Sequence, residues 1–132
     1  MLVNMKETKK DSSWCVVAKI REATPFGEEG KETKIGSKHF KPGAKVYIVD
    51  WYPGMCTTVT VAGHHRKSNR LITIDLHVKY LTDLKSKVVY KPYVLERIKE
   101  RKIMRGATLN EDQADEIKNV VEAWIHEETK QA

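Results

Sequence analysis

Between Trp14 and Tyr90, apolar residues recur at alternate positions in short runs separated by turn-forming residues, the pattern of half-buried strands. The first run, Trp14 to Ala23, sets Trp14, Val16, Ala18 and Ile20 on one face and Lys19 and Arg21 on the other. About fourteen polar and glycine-bearing residues follow, long for an ordered loop. Further strands are predicted at Ala44 to Trp51, Cys56 to Gly63, Arg70 to His77 and Lys87 to Tyr90. The second is apolar on both faces for part of its length, as a central, covered strand would be. In the fourth, Ile72, Ile74 and Leu76 point inward and Thr73, Asp75 and His77 outward. Tyr52-Pro53-Gly54 is a turn, His64-His65-Arg66-Lys67-Ser68-Asn69 a hairpin tip, and Val78 to Leu84 has room for one helical turn.

The period becomes helical at Pro92. Proline suits a first helical position, Val94, Leu95 and Ile98 form an apolar stripe, and Gly106 is the expected end. Asn110 is the expected N-cap of a second helix, with Gln113 three residues on and acids in its first turn. Ala114, Ile117, Val121 and Trp124 recur at helical spacing, so this helix should dock by one face. The expected fold is therefore α+β, mainly β with C-terminal helices. A small five-stranded barrel occupies about residues 14–90 and a helical pair about 92–128. Residues 1–13, polar and bearing Lys6, Lys9 and Lys10, are expected to be a flexible basic arm before one domain at 14–132.

This strand order and these loop lengths resemble the SH3-like barrel, with Phe40-Lys41-Pro42-Gly43-Ala44-Lys45-Val46-Tyr47 similar to the phrase that opens its second strand. A second resemblance rests on Trp14-Cys15-Val16-Val17-Ala18, Lys38-His39-Phe40, Gly63-His64-His65-Arg66 and Lys87-Val88-Val89-Tyr90. These look like small bacterial proteins of the toxin-immunity type. That resemblance implies a cytoplasmic, non-catalytic inhibitor that binds one toxin domain. Immunity proteins that cover nucleases are often acidic, and this chain departs from them in charge.

The 132 residues carry a formal charge of +6, unevenly spread. Residues 107–132 hold seven acids and two bases (−5), whereas residues 1–106 hold 22 bases and eleven acids (+11). Either the basic body attracts an anionic partner or the terminal helix folds back and neutralises part of it, and both can hold. With 40% hydrophobic and 32% charged residues, global disorder is excluded. No apolar run approaches the roughly 18 residues of a membrane span. Residues 1–6 lack the apolar centre of a signal peptide, so the expected location is the cytoplasm, without membrane association.

Candidate chemistry is sparse. Cys15 and Cys56 lie in predicted strands and read as reduced, buried thiols in preference to a disulfide. No cysteine or histidine spacing suits zinc, and the adjacent His64 and His65 would point apart on a strand, so no metal and no cofactor are expected. No serine or cysteine stands in a nucleophile motif, and Cys56 with His77 lacks an orienting third group, so no catalytic residue is expected.

Three constellations remain. His64, Arg66 and Lys67 with Arg70 form a cationic tip that can grip phosphates or simply keep a turn solvated. Tyr47, Trp51 and Tyr52, with Tyr80 nearby, can form an aromatic shelf, unless Trp51 caps the barrel. Arg97, Lys99, Arg101, Lys102 and Arg105 make the first helix basic, either for nucleic acid or for pairing with Glu96, Glu100 and the acidic terminal helix. The expected function is non-catalytic occupation of a protein partner's surface, as an immunity protein blocking a toxin domain would do. Tyr47, Trp51 and Tyr52 are the expected anchors and His64, Arg66, Lys67 and Arg70 the charged rim. The alternative is a nucleic-acid-binding module using the basic tip and first helix.

Overall fold

Strand β1 (Ser13–Ile20) buries every side chain except Trp14 and Lys19, so both of its faces are covered. The reason is its place in the sheet. In the computed structural model, which describes residues 11–21, 23–24, 33–34, 39–51, 57–101 and 107–129, β1 lies between two partners. After it come a two-residue ribbon, β2 (Ala23–Thr24) with β3 (Thr33–Lys34), then β4 (Lys45–Trp51), β5 (Thr58–His64) and β6 (Leu71–His77). A 3-10 turn at Val78–Tyr80 leads to β7 (Leu81–Val89), and helices α1 (Pro92–Glu100) and α2 (Glu111–Thr129) complete the chain.

The class is α+β, as expected: one antiparallel five-stranded sheet in the order β7–β1–β4–β5–β6, followed by two helices. The arrangement is compatible with a small barrel-like fold, but the sheet is not closed, since β6 and β7 end it without pairing. The 3-10 turn accounts for this. Val78 N–H donates to Thr57 O at 2.7 Å, Tyr80 O accepts from Arg21 N–H at 2.8 Å, and α2 packs over the turn as well as over β1 and β7. Helix and turn thus cover the gap that a ladder would have closed. The core between them holds Val16, Ala18, Ile20, Phe40, Val46, Val59, Val61, Val78 and Leu81, all essentially without solvent contact.

Several boundaries differ from the expected ones: the first strand ends at Ile20, not Ala23, which belongs to the separate ribbon, and the third begins at Thr58, not Cys56. The last strand begins at Leu81, not Lys87, because a bulge in its pairing with β1 between Val17 and Lys19 breaks the alternation there, and Asp83 takes a φ of 57°. The first helix stops at Glu100. Arg101 turns extended and sends its side chain inward, and Gly106, the expected end, lies outside the described residues. Ser13 belongs to β1 and is buried, so the arm ends before it, and its residues 1–10 lie outside the described residues.

The terminal helix follows its sequence closely. Gln113 N–H donates to Asn110 Oδ1 at 2.8 Å and Asn110 N–H to Gln113 Oε1 at 2.9 Å, a reciprocal capping box. Ala114, Ile117, Val121 and Ile125 are buried along one face, and Trp124 is half-buried against the core.

Candidate functional site

A single bulge divides the expected aromatic shelf. Tyr47 pairs with Ala62 and Ile48 with Val61, but the next matched pairs are Asp50 with Thr60 and Trp51 with Val59, leaving Val49 as the extra residue. Since paired residues share a face, Tyr47 and Asp50 point to one side of the sheet and Trp51 to the other. Trp51 faces the start of α2, where it lines a cavity of about 140 Å³ with Leu109 and Ile117, and the Arg101 guanidinium lies 5.9 Å from its ring centroid. Tyr47 and Trp51 therefore do not make one shelf. Tyr52 lies outside the described residues, and Tyr80 is half-buried in the 3-10 turn with the Lys79 ammonium 5.5 Å from its ring.

The hairpin tip between β5 and β6 is built by its own polar residues. His65 Nδ1 accepts from Lys67 N–H at 3.1 Å and Ser68 N–H at 3.4 Å, and Asn69 takes the left-handed conformation, φ 60°. His64 Nδ1 lies 3.0 Å from Asn69 O, and Arg66 N–H donates 2.7 Å to His39 O. Both histidines thus shape the turn, while Arg66, Lys67 and Arg70 are exposed. The tip shares a shallow groove with Lys41 and Ala44, next in sequence to Lys45.

Lys45 leads onto the face that carries Tyr47. The cross-strand row Tyr47–Val17–Lys85 and its neighbours Lys19–Lys45 and Cys15–Lys87 set lysines from three strands on this side. Lys91, the residue before α1, closes the group. Lys45 Nζ lies 5.7 Å and Lys91 Nζ 5.6 Å from the centroid of the Tyr47 ring. These three with Val17, Lys87 and Tyr90 line a depression of about 200 Å³ that no carboxylate lines. Lys19 is answered by Asp83 at 3.5 Å, but among the described residues Lys45, Lys85, Lys87 and Lys91 have no acidic partner. Tyr47 is 8% exposed and forms the floor; Tyr90, 58% exposed, stands at the margin.

Sequence reasoning passed over Lys85, Lys87, Lys91 and Tyr90. The alternation Lys85-Ser86-Lys87 was the available signal, but it is visible only once β7 is known to start at Leu81. The basic first helix proves largely self-paired: Arg97 Nη2 lies 2.9 Å from Glu100 and 3.4 Å from Glu96, and Lys99 pairs with Asp11 at 3.6 Å. Lys102 and Arg105 lie outside the described residues, and Arg101 is buried.

Two further groups have shifted proton affinities. Cys15 is a free thiol wholly out of water, and burial raises its pKa to about 12, with the Arg101 charge opposing. A thiol so held stays protonated and is a poor nucleophile. Cys56 lies outside the described residues. His77 is shifted down, by burial first, with Glu128 opposing and Lys79 adding to the shift. Among the described residues no three His, Cys, Asp or Glu side chains are grouped to hold a metal ion, and no helix is long and apolar enough to cross a membrane.

Comparison with protein families, with characterised proteins and with solved structures finds no match to this chain.

Proposed function

We propose that this chain is a non-catalytic binding protein that occupies an acidic surface of a protein partner. The observation that carries this reading is the tyrosine-floored depression whose ammonium groups, Lys45, Lys87 and Lys91, have no carboxylate partner among the described residues. Unpaired like charges held together disfavour the free protein slightly and favour any complex that neutralises them, so such a patch gains when an anionic partner docks. Beyond Lys45 the exposed tip continues the basic surface, with His64, Arg66, Lys67 and Arg70 as its rim.

The chemistry favours a protein partner. The cations nearest the depression are lysines, point charges without the planar fork by which arginine grips phosphate in two bonds. Tyr47 offers too little ring to stack a base. An immunity protein blocking a toxin domain is the form of this activity that the sequence resemblance implies. Inhibition would then be steric and electrostatic, with the exposed Tyr90 as the apolar contact and Tyr47 as the floor beneath the lysines.

Charge reversal tests it. Lys45→Glu, Lys87→Glu and Lys91→Glu combined should leave the melt near that of the parent but abolish capture of a partner from nuclease-treated lysate. Lys118→Glu on α2 should capture normally. Capture indifferent to the triple reversal would refute the assigned face. Loss of all bound material on nuclease treatment, with saturable binding to RNA or DNA that falls steeply with salt, would favour a nucleic-acid module instead.

A further inference from the structure

The sheet ends at β7, which pairs with β1 along one edge and with no strand among the described residues along the other. The register decides which backbone groups lie on that open edge. Trp14 N–H donates to Leu109 O, away from β7, so Trp14 and the Val88 opposite it do not exchange hydrogen bonds. The ladder is regular from Ser13 to Val17, so Val16 and Ser86, two residues on, are a pair of the same kind. The N–H and C=O of Ser86 and of Val88 therefore point outward, and no backbone bond among the described residues reaches them. A row of open groups like these is a template for one more strand.

The side chains select what that strand carries. Lys85 and Lys87 flank Ser86 on the Tyr47 face, both exposed and without an acidic partner among the described residues. A strand laid beside β7 sets every second side chain next to these ammonium groups, where acids are favoured. Its alternate side chains meet Val88, 37% exposed, on the face where α2 packs. The segment that forms α2 carries −5, so apolar residues suit that face and acids do not. A second copy of β7 is a poor occupant, because it would bring its own Lys85 and Lys87 against these two. Lysines on an edge strand guard against such self-pairing.

We propose that the acidic partner is held by an extended segment of alternating acidic and apolar residues, which adds to the open edge of β7. Its backbone bonds to Ser86 and Val88, and its acids lie along Lys85 and Lys87. This rests on the reading of the lysine face as the partner's site, and it specifies how the partner sits there.

The probe is a fluorescently labelled, amidated octapeptide of alternating Glu and Val, titrated into the full chain and followed by anisotropy. It should bind saturably below about 1 mM, and hydrogen exchange at the Ser86 and Val88 amides should slow in the complex. Two N-methylated isomers carry the same charge, one blocked at the valine amides and the other at the glutamate amides. Only one set of amides can face β7, so one isomer should bind at least about tenfold more weakly than the other. Val88→Pro removes one outward N–H and should preserve the melt, since an N–H on an open edge faces solvent. It should weaken the peptide about tenfold, and the isomers decide the matter if Val88→Pro fails to fold. Isomers of equal affinity, unchanged exchange at Ser86 and Val88, or no saturable binding at that concentration would overturn the added strand. So would self-association of the chain that protects the same two amides, which would make a second copy the occupant. The face itself is judged by the triple lysine reversal: capture lost there, with isomers of equal affinity, would keep the face and reject the strand.

Discussion

Ser13 Oγ accepts a hydrogen bond of 2.8 Å from the Leu109 N–H, joining the first residue of β1 to the segment that leads into α2, 96 residues later. Leu109 O returns the contact by accepting from Trp14 N–H at 3.1 Å. The pair anchors the terminal helix to the strand it covers and makes the acidic C-terminal segment part of the fold.

Ser13→Ala should therefore cost about 1–3 kcal/mol, because it leaves the buried Leu109 N–H without an acceptor. Urea denaturation should show a lower midpoint with an unchanged slope, and hydrogen exchange should quicken first in α2. A midpoint equal to the parent's would show that this bond does not hold the helix.

Gly63 is required by packing. A Cβ there would come within 2.8 Å of Val46 Cγ1 and 2.9 Å of Phe40 Cε1, both fully buried side chains with no room to withdraw. Gly63→Ala should lower stability by about 1–3 kcal/mol through overpacking. Adding Val46→Ala should recover part of that loss, a non-additivity that a purely conformational effect of the glycine would not give.

His77 should confer a pH dependence. Its Nδ1 accepts from Lys79 N–H at 3.0 Å, which requires an unprotonated nitrogen, and its Nε2 faces Glu128 Oε1 at 3.5 Å. The folded pKa lies below the ordinary 6.5, so the unfolded chain takes up the proton first. The stabilisation is complete above pH 6.5 and is lost as pH falls from there through the folded-state value. Melting temperatures of the parent should drop across this window, and His77→Gln, which keeps an acceptor for Lys79, should flatten the drop. A parent and variant with parallel pH profiles would contradict the assignment.

Local patterning was enough for much of this fold. The alternation in β1, β4, β5 and β6, the proline at the start of α1 and the Asn110–Gln113 cap of α2 all report interactions within a few residues, and each element formed within about three residues of where those residues placed it, apart from the end of α1. Where a one-residue bulge intervenes, that reading fails, because every side chain beyond it changes face. Tyr47 and Trp51 look like members of one stripe in the sequence and lie on opposite sides of the sheet for this reason. The second bulge, opposite Val17 and Lys19, disguised the first half of β7 and with it Lys85.

The sites depend still more on tertiary structure. The sequence by itself determined that the body is basic, that the terminal helix is acidic and amphipathic, and that two β-rich halves flank a polar tip. Whether a given cation is paired is a matter of distance between distant segments. Lys99 found Asp11 and Lys19 found Asp83, while Lys45 and Lys91 met across the Tyr47 ring with no acid among the described residues. Arg101 shows the limit most clearly. Its neighbours in sequence mark it as one more exposed base of a helix, and only the end of α1 at Glu100 turns it into the sheet. Charge and periodicity are properties of the chain, but pairing and burial come from packing, which brings residues together irrespective of their distance in sequence.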